Sequence, residues 1–133
     1  MAEHLQKMLN FALEAQKFSY SPYSKFKVGA CIYTTSNKYY IGANVENASY
    51  PLGSCAESSA ISAMIMGGDN LIKEILVLGG DNTNLCPPCG GCRQKIREFS
   101  NSNTLIHLAT ANKIETSMLL SELLPLSFGP QNL

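Results

Sequence analysis

Ile75-Leu76-Val77-Leu78 is an uninterrupted apolar run, closed by Gly79-Gly80. A strand with one wet face alternates apolar and polar residues, so a run without alternation marks a strand covered on both faces. Working outward, the chain supplies the covering helices. Upstream, Cys55 to about Met66 is small or apolar with few charges, a buried helix ended by Gly67-Gly68-Asp69-Asn70. Downstream, a loop spans Gly79 to Pro88, Cys89 to about Phe99 reads as a helix turning Ile96 and Phe99 inward, and Leu105 to Ala109 as a strand. Nearer the N-terminus, Phe26, Val28, Ala30 and Ile32 recur at the strand period. Thr34-Thr35-Ser36-Asn37 turns the chain, and Tyr39 to Val45 returns as the second arm of a hairpin. Leu5, Met8, Leu9, Ala12 and Ala15 have helical spacing, which predicts an amphipathic helix from Ala2 to about Phe18, broken by Ser21-Pro22-Tyr23-Ser24. Asn44 to Ser54 is irregular. A weaker strand near Ile114 and a short helix over Met118 to Leu124 complete the pattern. Helices and strands interleave throughout, so the class is α/β, with helices on both faces of a mixed sheet.

The length of 133 residues, 45% of them hydrophobic, suits a single domain over 1–133 with a full core. A formal net charge of +0 argues against a nucleic-acid or anionic-membrane binder, which needs excess Lys and Arg. Charged residues, at 15%, fall below the usual quarter, which points to surface buried between subunits. No apolar run approaches the roughly 20 residues of a membrane span. Met1 to Lys7 mixes Glu3, His4, Gln6 and Lys7, unlike a secretory signal or an Arg-rich transit peptide, and the expected compartment is the cytoplasm.

Five cysteines, Cys31, Cys55, Cys86, Cys89 and Cys92, are an odd number with three clustered. In such a chain they suggest a metal or catalytic site rather than a disulfide framework. Cys55-Ala56-Glu57 and Pro88-Cys89-Gly90-Gly91-Cys92 both stand where a loop enters a helix. Unpaired N–H groups and the helix dipole favour thiolate there, the form that binds zinc. Cys89 and Cys92 can share one ion, with Cys55 as third ligand, leaving the fourth tetrahedral position open for water. Zinc brings that water's pKa to roughly 7. Glu57, two residues past a ligand, can reach the water and carry its proton to a substrate nitrogen. By itself Glu57 is equally an ordinary first-turn acid. Cys86 extends the run to Cys86-x-x-Cys89-x-x-Cys92, so a closed four-thiol zinc or iron–sulfur module is the alternative. Pro87-Pro88 stiffens the link to Cys86, and an acid beside a closed site has no evident task. His4 lies in a charged first turn and is expected exposed, His107 reads as a satisfied structural histidine, and Cys31 as a small buried hydrophobe.

The two cysteine stretches match the zinc deaminase signature, an acid two residues past the first ligand followed by Pro-Cys-x-x-Cys, with Cys55 where His is also found. Ser21-Pro22-Tyr23-Ser24-Lys25-Phe26, Gly42 through Pro51, Cys92-Arg93-Gln94, Glu122-Leu123-Leu124-Pro125 and Phe128-Gly129-Pro130 follow in family order. From first helix to C-terminus, the chain resembles the small homotetrameric class of cytidine deaminases.

The resemblance implies a three-layer α/β/α cytidine deaminase-like fold with a mixed sheet of about five strands, and one Zn2+ per subunit on Cys55, Cys89 and Cys92. Glu57 would move protons between water, N3 and the leaving N4. Asn44 and Glu46 would bind the ribose hydroxyl, Phe26 would pack on the nucleoside, and the Ala56 N–H would meet the cytosine O2. Tyr50 and Phe128 would help complete a neighbouring subunit's site. The implied activity is deamination of cytidine and 2′-deoxycytidine in pyrimidine salvage, with another aminated nucleoside as the alternative substrate. Outside that resemblance, Asn44 and Glu46 are strand-end polar residues, Arg93 a solvated helix charge, and Phe26, Tyr50 and Phe128 packing residues. Ser58 stands where the family commonly has Arg. Three thiolates on Zn2+ keep one negative charge, and Arg93 is expected to compensate it. The sugar segment carries Glu46 and no cation, which favours a free nucleoside over a nucleotide.

Overall fold

The apolar run at Ile75 forms the middle of the sheet. In the computed structural model, which describes residues 2–133, this strand is β3, Ile72–Gly79, buried at every position except Lys73. Around it lie β1 (Val28–Thr34), β2 (Tyr39–Ala43), β4 (Leu105–Ala109) and β5 (Ile114–Leu119). The helices are α1 (Ala2–Gln16), α2 (Ala56–Met66), α3 (Gly90–Glu98) and α4 (Leu120–Leu123). Strand order is β2-β1-β3-β4-β5. β3 and β4 run parallel across the α3 crossover, and every other pair is antiparallel. The mixed five-stranded sheet is the one expected.

Alternation along the strands assigns the two faces. Ile32, Ile75, Val77, Ile106 and Leu108 join Ala60, Met64 and Ile96 in the core beneath α2 and α3. Cys31, Leu76, Leu78 and Ala109 meet Met8, Leu9 and Ala12 of α1 on the other side. Cys31 is fully enclosed as expected, and burial pushes its thiol up to about 12. Both helices approach over a glycine. A Cβ at Gly42 would overlap the backbone of Ala56 and Ala60 in α2, and one at Gly29 would overlap the Ala12 carbonyl in α1.

Three local expectations are corrected. Met118 and Leu119 pair with Ile106 and Leu105 as the end of β5, so the predicted Met118–Leu124 helix shrinks to Leu120–Leu123. Sheet pairing outcompetes one further helical turn. Phe26 precedes β1 and is 46% exposed, so it is not a core residue. His4 is not free in solvent: Nε2 lies 2.9 Å from Glu74 Oε2, and Nδ1 2.7 Å from the Tyr39 hydroxyl. His107 is the satisfied structural histidine expected, 2.7 Å from Glu74 through Nε2 and 2.7 Å from Ser117 Oγ through Nδ1. The His107 hydrogen bond, foremost, and His4 hold the Glu74 carboxyl below its ordinary range.

Candidate active site

Two helices begin at the same place. Cys55 is the N-cap of α2 and Cys89 the N-cap of α3, both in extended backbone, so each thiol lies beside the unpaired N–H groups of a first turn. The Cys92 N–H points at Cys89 Sγ at 3.4 Å, and this bond, first among its causes, lowers the Cys89 pKa. Cys55 and Cys92 are pushed up, each chiefly by burial.

Cys55, Cys89 and Cys92 bring their sulfurs within 4.8 Å of one another, with Cys55 and Cys89 4.0 Å apart. Zinc–sulfur bonds of about 2.3 Å at tetrahedral angles put sulfurs about 3.8 Å apart, so the set fits one zinc ion with little adjustment. Cys86 lies outside that group. The three-thiol reading is therefore the one this geometry fits.

Glu57, the second residue of α2, is 4% exposed. Burial raises its pKa, opposed by its own backbone N–H, by a hydrogen bond with the Cys92 thiol and by the charge of Lys95. An enclosed carboxyl beside the sulfurs holds its proton more readily than a free one, which suits it to general acid–base work.

A cleft of about 440 Å³ opens beside these groups, and Phe26, Asn44, Glu46, Tyr50, Ala56 and Glu57 all line it. Asn44 braces its floor: Oδ1 accepts from Val28 N at 2.9 Å and Ser19 Oγ at 2.5 Å, and Nδ2 donates to the Phe26 carbonyl at 2.8 Å. One Nδ2 hydrogen is left over from these bonds. Glu46 accepts from the N–H groups of Tyr23 and Ser24 at 3.0 and 3.1 Å and from the Ser24 hydroxyl, which in turn accepts from Phe26 N at 3.0 Å. The Ser24 hydroxyl, foremost, holds the Glu46 carboxyl below its usual range. Lys25 contributes to the same lowering, so Glu46 is not without a nearby cation. A charge-by-segment reading missed it because a different loop delivers Lys25.

Tyr50, Phe128 and Arg93 have separate surroundings. Tyr50 lines the cleft of its own chain. Phe128, 59% exposed, lies outside that cleft, with its carbonyl bound by Gln94 Nε2 at 2.9 Å. Arg93 Nε donates to the Pro88 carbonyl at 2.8 Å and a terminal nitrogen to the Leu123 carbonyl at 2.9 Å. Its guanidinium ties the loop before Cys89 to the end of α4. Ser24 and Lys25 lay within the motif around Phe26 but were given no role of their own, because Ser21-Pro22-Tyr23-Ser24 first reads as a chain break.

A family profile described as the cytidine and deoxycytidylate deaminase zinc-binding region matches residues 2–108. The chain belongs to that deaminase family. A cytidine deaminase of Halalkalibacterium halodurans is 34% identical over 128 residues, covering 96% of either chain. One from Mycoplasma pneumoniae is 38% identical over 112 residues, 84% of each. The crystal structure of the Burkholderia pseudomallei cytidine deaminase superposes with a TM-score of 0.86 at 34% identity, covering 92% of this chain and 98% of that one. That of the Mycobacterium tuberculosis enzyme gives 0.83 at 32% identity, covering 93% and 96%. The chain is thus a zinc-dependent hydrolytic deaminase in family and fold. No described helix is long and apolar enough to cross a membrane.

Proposed function

We propose that this chain deaminates cytidine and 2′-deoxycytidine to uridine and 2′-deoxyuridine, releasing ammonia, as a cytoplasmic homotetramer serving pyrimidine salvage. The observation that carries the reading is the three-sulfur cluster with the enclosed Glu57 beside it, opening into a nucleoside-sized cleft. Zinc held by Cys55, Cys89 and Cys92 supplies, when bound, a water acidified to near-neutral pKa.

The remaining work belongs to the chain. Glu57 accepts the proton of the attacking water and delivers it to N3 of the base. Once the water oxygen is bonded to C4, Glu57 takes the remaining proton from that hydroxyl and passes it to N4; the C4–N4 bond breaks, ammonia leaves and C4 keeps the oxygen as a carbonyl. General acid–base transfer of this kind is worth about 10²–10⁴ in rate. The Ala56 N–H, at the first position of α2, has no intrahelical acceptor and is free to meet the cytosine O2. Asn44 donates its remaining Nδ2 hydrogen to the ribose, and Glu46, held by Ser24, accepts from a ribose hydroxyl. The half-exposed Phe26 ring packs on the nucleoside.

Assembly is supported by large apolar side chains left in solvent, among them Phe18 at 76%, Tyr50 at 75%, Leu52 at 71% and Met66 at 86% exposed. In the tetramer Phe128 serves a neighbouring subunit's site, which fits its position away from its own cleft. Ultraviolet absorbance on cytosine, cytidine, deoxycytidine, CMP and adenosine, with and without chelator, tests the activity. Turnover of the two cytosine nucleosides, abolished by chelator and restored by zinc, is expected. Faster turnover of another substrate would overturn the assignment. Gel filtration tests the tetramer.

A further inference from the structure

The three-sulfur unit carries a charge that some group must offset. Three thiolates around Zn2+ leave a net charge of minus one, which weakens the metal's hold on further anionic ligands and raises the pKa of its water. The N-termini of α2 and α3 contribute partial positive charge. Arg93 is occupied by two backbone carbonyls. Lys95 stands three residues past Cys92 on α3, and its Nζ donates to the Ser58 hydroxyl at 3.2 Å. Ser58 in turn stands three residues past Cys55 on α2. This one bond therefore joins the two helices that present all three sulfurs, one turn behind them.

We propose that Lys95, seated on Ser58, is the cation that offsets the excess negative charge of the three-sulfur zinc unit, so that charge and seat come from two different helices. Lys95 is exposed, so its influence passes partly through solvent and is screened by salt. It is a supporting residue and touches no reacting atom.

The inference rests on Cys55, Cys89 and Cys92 holding zinc, and the test separates the two. Zinc affinity is measured on the full-length protein by competition with a chromophoric chelator, with thermal unfolding to confirm each variant's fold. Lys95→Met should weaken zinc binding roughly threefold to tenfold at low ionic strength, below the usual cost of losing a fully buried outer-shell partner. Lys95→Arg should stay within about twofold of wild type, Ser58→Ala should fall between, and the Lys95→Met deficit should narrow in high salt. Wild-type zinc affinity in Lys95→Met, or an equal loss in Lys95→Arg, overturns the role of Lys95 while leaving the metal site intact. Failure of wild type to take zinc from the chelator overturns the metal site itself, and this inference with it.

Discussion

Glu57 and Glu74 are both nearly enclosed, at 4% and 9% exposure, yet their carboxyls move in opposite directions. Glu74 lies on the α1 face of β3, where His107 and His4 each hydrogen-bond one of its oxygens, and their hydrogen bonds outweigh the desolvation. Glu57 lies at the start of α2 beside thiols, and desolvation wins. Burial alone therefore does not tell a structural acid from a reactive one. The difference is whether the neighbours favour the charged form. The α1 face has partnered its acid and stabilises the fold, while the α2–α3 face leaves its acid able to exchange a proton.

The sharpest way to break this contrast is to neutralise each acid in turn. Glu57→Gln should lower kcat by about 10²–10⁴ while zinc content and melting temperature hold, because the lost group carries protons rather than structure. A comparable melting-temperature loss with little change in kcat would reverse the assignment.

Next in size come the two glycines. Gly42→Ala and Gly29→Ala should each cost about 1–3 kcal/mol in denaturant unfolding, since neither helix backbone can yield easily. Only Gly42→Ala should also lower zinc affinity, because α2 carries Cys55. Equal loss of zinc in both would show that the faces are not separable.

Glu74→Gln should cost about 1–2 kcal/mol at neutral pH by weakening charge-assisted hydrogen bonds, with kcat kept. Its pH dependence has a definite sign. A carboxyl held below its ordinary value of 4.5 adds stability above that pH and loses it as pH falls through the folded value. Wild type and Glu74→Gln should therefore converge in stability as pH falls below the ordinary carboxylate range and through the folded value.

The smallest effect falls on the sugar end of the cleft. Ser24→Ala removes one of the three hydrogen bonds that hold the Glu46 carboxylate and should raise KM for cytidine about threefold to tenfold with kcat little changed, the worth of one hydrogen bond. Ser24→Thr should restore it. A fall in kcat at constant KM would mean that Ser24 acts on the chemistry instead.

Sequence reading recovered the parts of the molecule that depend on local pattern. The apolar run at Ile75–Leu78, the Cys55 and Cys89 helix starts and the hairpin of Tyr39 were all readable, because period, capping position and spacing are properties of neighbouring residues. The cysteine cluster was readable because ligand chemistry restricts the choice. What escaped depends on partners distant along the chain. His4 finds Glu74 70 residues away, Arg93 finds a carbonyl at Leu123, Lys25 reaches Glu46, and Lys95 finds Ser58. No local rule joins such pairs. Phe26 was misplaced for a related reason: alternation with Val28 continued past the point where the strand begins.

The account depends most on the ion having three sulfur neighbours and a fourth that is not protein. Zinc K-edge X-ray absorption on fully loaded protein measures this directly. Three sulfurs near 2.3 Å and one shorter oxygen scatterer are predicted. Four sulfurs, with Cys86 drawn in as the last, would contradict it and turn the site into a closed structural one.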